Sequence, residues 1–309
     1  MTSATETSEA PDRRLMVVHA HPDDETIGNG ATMARYVAEG AAVTVVTCTL
    51  GEEGEVLVED LAHLAAEQND DLGSHRLGEL KAAMDILGVV DYVRLGGDGR
   101  FRDSGMAYDD RGRATARDVL RDGIFWTTDL LEAAHELIPL IRDRKPRVLA
   151  TYNPFGGYGH PDHIQAHRVA MYAVQLAGVS AYRPDLGPAW TVSRVLWNTM
   201  RRSRLVAGIK ALRDAGDFKT FSGFDPEDPT LPMVADDADI AAVIDGSRWI
   251  KQKLDAMRAH ATQITDDGPF FSGAKVLGDS QWSEEAYVFV SGVPFPGDGW
   301  ADDLFAGLD

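Results

Sequence analysis

Leu15-Met16-Val17-Val18-His19-Ala20-His21-Pro22-Asp23-Asp24-Glu25 is the stretch on which the fold turns. Its first five residues are a short apolar run carrying β-branched side chains, the pattern of a strand buried on both faces. Beyond it, over 24–39, Ile27, Ala31, Ala34 and Val37 recur at helical spacing, and Gly40 stands where a helix ends. Strand, turn and helix then repeat. A strand is predicted over 42–49, and a helix over 73–87 puts Leu77, Leu80, Met84 and Leu87 on one face before Gly88 closes it. A third strand follows at 89–95, and 96–126 reads as a long excursion loop. A helix over 128–142 holds Pro139, which predicts a kink. A fourth strand at 147–151 precedes a helix that starts at Pro161 and stops at Gly178.

This alternation predicts an α/β, Rossmann-like fold: a mainly parallel sheet flanked by helices. In the doubly wound order the first strand lies between the second and the fourth, and the ligand crevice opens at that switch point, beyond the carboxyl ends of the strands. Residues 1–14 read as a disordered tail and 15–183 as the catalytic unit. Residues 184–309 read as a smaller C-terminal part that completes the sheet and walls the pocket. In it the patterns suggest a strand at 190–197, a helix at 201–215, a Pro/Asp-rich loop at 217–237, a long helix at 239–260 and a strand at 286–290.

Composition narrows the partners. Lys and Arg number 30 against 49 Asp and Glu, a net charge of −19. Such a surface repels phosphate backbones and anionic lipid, so no nucleic acid or membrane partner is expected and the substrate should be small and neutral. The single cysteine, Cys48, excludes an intrachain disulfide and reads as a buried strand thiol. With no apolar leader and no membrane-length run, the expected location is cytoplasmic. The oligomeric state stays open.

Chemistry concentrates in two blocks, 19–25 and Gly157-Tyr158-Gly159-His160-Pro161-Asp162-His163, which hold four of the nine histidines. Each follows a strand that borders the switch point. Imidazoles and carboxylates at this density, with prolines fixing the turns, are what a hydrolytic metal site needs: neutral nitrogen ligands, an oxygen ligand and a free carboxylate for protons. Asp23 and Asp24, being adjacent, must diverge, so one can ligate while the other stays free as a base. His160 and His163 likewise occupy distinct positions at a helix start, one able to reach a metal while the other faces substrate. Taken singly, each aspartate could be only a helix cap. Taken together at the switch point, the two blocks favour a metal-dependent hydrolase. Glu52, Glu53 and Glu55 read as a solvated acidic loop near the crevice rim.

The paired motifs, His-Ala-His-Pro-Asp-Asp-Glu and Gly-His-Pro-Asp-His, resemble the zinc-dependent N-acetylglucosaminyl deacetylases of the PIG-L or LmbE-like family. Val46 to Glu55, Arg76-Leu77-Gly78-Glu79-Leu80, Arg102-Asp103-Ser104-Gly105-Met106 and Ala259-His260-Ala261-Thr262-Gln263 are similar to its mycothiol-biosynthesis branch. The resemblance implies that His21, Asp24 and His163 bind Zn2+, with Fe2+ as the alternative native metal. It implies Asp23 as general base, Asp162 orienting His160, and His160 and Tyr158 as donors to the oxyanion. It also suggests Arg76 and Asp103 as contacts to hydroxyls of a small amino-sugar substrate, and His19 as a support behind the ligands. Two rivals share such residues. One is the mycothiol S-conjugate amidase, which has a similar metal site. The other is a non-haem iron oxygenase, for which His21-x-Asp23 has a familiar spacing but the strand-helix alternation is the wrong scaffold.

Overall fold

The computed structural model describes residues 12–110 and 113–308; the expected tail falls largely outside them, and its last residue, Arg14, already belongs to a strand. In chain order the elements begin β1 (Arg14–His19), α1 (Asp24–Ala38), β2 (Ala42–Thr47), α2 (Leu72–Leu87) and β3 (Asp91–Arg94). A small hairpin, β4 (Ala107–Tyr108) with β5 (Ala114–Thr115), interrupts the excursion loop. Then come α3 (Leu130–Arg144), β6 (Val148–Thr151), the single turn α4 (Gly156–Gly159), and α5 (Pro161–Ala177). The C-terminal part supplies β7 (Arg194–Arg201), α6 (Arg202–Asp214), β8 (Val234–Ala235), β9 (Ile240–Asp245), α7 (Ile250–Ala259), α8 (Ala274–Leu277) and β10 (Glu284–Gly292).

One sheet runs through the molecule in the order β3-β2-β1-β6-β7-β10-β9, with β8 beside β7. The pairs from β3 to β7 are parallel, and β10 is antiparallel to both its neighbours. Thus β1 lies between β2 and β6, as the doubly wound order requires. Alternate residues of β1 feed two cores. Met16 and Val18 pack with Leu137 and Ile141 of α3 and Ala166 and Val169 of α5. Leu15 and Val17 pack with Met33, Tyr36, Leu80 and Met84 of α1 and α2, and with Tyr287 of β10. Burial on both faces is why this strand reads as an unbroken apolar run.

Three expectations need correction. The long helix at 239–260 is a strand, a turn at Gly246 and a shorter helix; Ile240, Ala242 and Ile244 are buried while Ala241 and Val243 are less so, a period of two. A side chain at Gly246 would collide with Ala31 Cβ at 2.3 Å, so the turn sits tight on α1. The strand at 190–197 starts later, at Arg194. The helix expected over 128–142 is shifted, running from Leu130 to Arg144 with Pro139 inside it. Cys48 is buried, as expected. Among the described residues no helix is long and apolar enough to cross a membrane.

Candidate metal centre

The first block turns out of β1 into α1, and the second leaves β6 through α4 into α5, so both reach the same crevice. Two imidazole nitrogens and the two oxygens of the Asp24 carboxylate converge there. His21 Nδ1 is 3.3 Å from Asp24 Oδ2, His163 Nε2 is 3.3 Å from Asp24 Oδ1, and the two imidazole nitrogens are 3.3 Å apart. Charge-assisted hydrogen bonds are normally shorter, about 2.7–2.9 Å. A tetrahedral ion with bonds of about 2.0–2.1 Å holds its ligand atoms about 3.3–3.4 Å apart. These spacings therefore match those of a ligand set, with one Asp24 oxygen facing each imidazole.

The surroundings fix which nitrogens face inward. The Nδ1 of His163 lies 3.1 Å from the Gly156 carbonyl, an arrangement in which it donates there and leaves Nε2 its lone pair. His21 Nε2 faces Asp162 Oδ2 at 3.3 Å and Asp103 Oδ1 at 3.4 Å, which leaves Nδ1 to point at the centre. Carboxylates behind a ligating histidine hold its ring and tautomer. Asp162 is itself held by the Ser104 N–H at 2.8 Å and by the Ser104 hydroxyl. Tyr152 stacks on His163 with centroids 4.3 Å apart, and its hydroxyl accepts the Ala20 N–H. His19 lies behind it, edge-on to Tyr152, with Nε2 accepting from Asn29 at 2.7 Å.

Electrostatics ask for positive charge at the centre. Asp23, Asp24, Asp103 and Asp162 surround it, and among the described residues Arg76 is the one guanidinium paired with any of them. Burial opposes a charge on His21, yet Asp103, Asp162 and Asp24 outweigh it and hold its pKa well above the usual value. Burial likewise works against the Asp24 carboxylate, but His163 and His21 hold it well below the usual range. The residues fit a divalent cation in charge, donor type and spacing.

Asp23 points elsewhere. It is the N-cap residue of α1 but makes no side-chain cap, and its backbone stands at φ 125°, ψ −37°. That region is sparsely populated for a residue with a Cβ and costs of order 1–3 kcal/mol. Its Oδ2 accepts from Arg76 at 3.0 Å, and burial pushes its carboxyl up to about 6 in spite of that guanidinium. A helix-capping role is thereby excluded. The oxygen beside His21 is that of Asp24 and not of Asp23, so the His21-x-Asp23 spacing does not describe this cluster.

His160 caps α5 through its Nδ1, which accepts the Asp162 N–H at 3.1 Å. Its proton therefore sits on Nε2. Burial, then His21 and His163, hold its pKa well below the usual value. Asp162 contacts His160 through its backbone N–H, while its carboxylate faces His21. Tyr158 stands edge-on to His163 at 5.1 Å, and burial raises its hydroxyl pKa.

Two further residues of the expected site are buried. Arg76 is 2% exposed, donating to the carbonyls of Gly51 and Pro22 as well as to Asp23. Asp103 is 3% exposed, accepting from Gly105 and Glu53 N–H groups and facing His21. Both brace the centre, and the buried Arg76 Nε is left without a partner among the described residues. Of the three glutamates of the acidic loop only Glu55 is exposed: Glu52 is buried, and Glu53 is enclosed by Arg102, Arg117 and Arg121. Sequence reasoning missed Ser104, Tyr152 and Glu25. Ser104 lies beside Asp103 in a quoted motif, whereas Tyr152 carried no signal beyond its place after β6.

A Rossmann-like sheet with a His-Asp-His cluster at its switch point defines a metal-dependent hydrolase of the sugar deacetylase type. The chain belongs to the PIG-L family, described as GlcNAc-PI de-N-acetylase, whose model matches residues 16–174. It is 56% identical over 302 residues to the 1D-myo-inositol 2-acetamido-2-deoxy-alpha-D-glucopyranoside deacetylase of Kribbella flavida, covering 97% of this chain and 100% of that one. The protein of the same name from a Nocardioides species is 54% identical, with 96% and 99% covered. Among solved structures, the N,N'-diacetylchitobiose deacetylase of Pyrococcus horikoshii shares the fold, with a TM-score of 0.58 at 17% identity, over 92% of this chain and 87% of that one.

Proposed function

We propose that this deacetylase removes the acetyl group from the N-acetylglucosaminyl ring of a glucosaminyl-inositol, using a divalent ion, Zn2+ or Fe2+, held by His21, Asp24 and His163. The observation that carries the reading is the set of 3.3 Å spacings between the two imidazole nitrogens and from each of them to an oxygen of Asp24. The substrate follows the names of the relatives that match along the whole chain. When bound, such an ion acidifies water from a pKa of ~16 to ~7 and polarises a carbonyl oxygen.

The chain's own groups handle the protons. Asp23 takes the proton of the attacking water at Oδ1, since Oδ2 is engaged by Arg76. His160, protonated at Nε2, donates to the oxygen of the tetrahedral intermediate, with the Tyr158 hydroxyl as second donor. The leaving amine receives its proton from Asp23 or from His160. Arg76 steadies Asp23, while Asp103 and Asp162 steady His21.

The test measures bound metal, then acetate release from N-acetylglucosaminyl-inositol and from free N-acetylglucosamine, and cleavage of a mycothiol S-conjugate. The inositol conjugate should give the highest kcat/KM, because its second ring supplies binding energy that positions the first. Preference for the S-conjugate makes the protein an amidase. Equal use of conjugate and monosaccharide removes inositol recognition.

A further inference from the structure

We propose that the turn carrying His260, Thr262 and Gln263 is a positioning element for Asp23, fixing its main chain through Glu25 and its carboxylate through Arg76. The inference rests on the reading of Asp23 as the base.

Two routes lead from that turn to one residue. On the first, His260 Nε2 lies 3.0 Å from Glu25 Oε1, and Glu25 Oε2 accepts the Asp23 N–H at 3.0 Å. Both side chains are fully buried, and they come from positions 235 residues apart. On the second, the Thr262 N–H and hydroxyl donate to the two oxygens of Glu79, each at 2.8 Å. Glu79 lies one helical turn beyond Arg76 on α2, and Arg76 donates to Asp23 Oδ2 at 3.0 Å. The same turn holds the loop whose Gly51 carbonyl receives Arg76: the Thr262 carbonyl accepts the Leu57 N–H at 2.9 Å, and Gln263 donates to the Glu55 carbonyl at 3.1 Å.

Asp23 needs such support. Its positive φ is a conformation that persists only where the surroundings over-determine it. Its side chain, unused as a cap, must keep one oxygen directed at the reacting water. A misplacement of about 1 Å can lower a rate by roughly 10²-fold. Glu25 grips the residue at the N–H and Arg76 at the carboxylate, so the angle between main chain and carboxylate is set from both ends. Glu25 and Glu79 each also accept from the 260–263 turn, which makes that turn the common anchor.

The test uses the full-length, metal-loaded protein. His260→Ala and Thr262→Val should lower kcat roughly 10- to 100-fold while KM and bound metal stay near wild type. His260→Gln, whose amide can donate to Glu25, should recover most of the loss. In an Asp23→Asn background neither His260→Ala nor Thr262→Val should slow the residual rate further. Thr262→Val, nearly isosteric, carries the test if His260→Ala fails to fold. Equal fold-losses in both backgrounds, or a loss seen in KM, metal content or Tm with kcat unchanged, overturn the proposal and leave the base assignment standing. Wild-type kcat in Asp23→Asn alone overturns the base assignment itself.

Discussion

Lys253→Met should destabilise the protein by about 3–5 kcal/mol, the usual result of stripping one partner from a buried ion pair. Lys253 Nζ donates to Glu285 Oε1 at 2.7 Å, and the two side chains are 1% and 2% exposed. Glu285 also accepts the N–H groups of Ala31 at 2.9 Å and Thr32 at 2.7 Å, in the middle of α1. Without Lys253 the carboxylate keeps those two donors but loses its countercharge in a site closed to water. Methionine retains most of the aliphatic stem, which packs so closely on Gly30 that a Cβ there would meet Lys253 Cγ at 3.0 Å. The loss is therefore electrostatic more than steric. At about 2.1 cal/mol/K per residue, 1 kcal/mol shifts the Tm of a chain this long by ~1.5 °C, so a fall of roughly 5–8 °C is expected. Glu285→Gln combined with Lys253→Met should be milder than the two single effects added, with a coupling of ~1–3 kcal/mol. Urea unfolding of the four proteins measures both quantities. A Lys253→Met midpoint within experimental error of wild type, or strict additivity in the double variant, would refute the claim that this pair anchors α1 to β10 and α7.

The remaining predictions concern the centre. Ala at His21, Asp24 or His163 should each lower bound metal and abolish turnover, as read by metal analysis and acetate release, because three protein ligands leave no spare; full occupancy in any variant removes that residue from the set. Asp23→Asn should keep its metal and lose kcat by ~10²-fold or more, since an amide cannot take the proton; unchanged kcat assigns the proton elsewhere. His160→Ala should also keep metal, with kcat down ~10²–10³-fold and KM little altered, the signature of a lost oxyanion donor. Arg76→Lys should slow the monosaccharide and the inositol conjugate by the same factor, because Arg76 touches Asp23; a selective loss on the conjugate would make it a sugar contact after all.

The two histidine blocks were legible because each follows a strand that packs on both faces, and because the crossover order of such sheets puts the loops after β1 and β6 side by side. Local sequence could not tell what Arg76 and Asp103 would touch. Their partners are the Pro22 carbonyl and Asp23 in one case and His21 in the other, joined only when α2 and the excursion loop close over β1. Glu25 closes the first motif, but its partner His260 was not legible, since the two meet only through the tertiary fold. The misread helix at 239–260 shows a different failure. Its first residues, Ile240 to Ile244, are all apolar, a run that fits either period until a neighbouring strand is known, and β10 chose the strand.

The motif region and the cooperative unit differ in length. Family likeness covers residues 16–174, ending inside α5. A chain cut there would hold all three proposed ligands, yet β6 would become a sheet edge, its four buried residues facing water where β7 now pairs. Tyr287, Leu304 and Phe305 would be gone from one core, and Val192 and Val195 from the other. A fragment chosen by its signature alone would therefore present sticky strands to other copies of itself, and the ligands it carries would lie on a scaffold that aggregates before it can close around them.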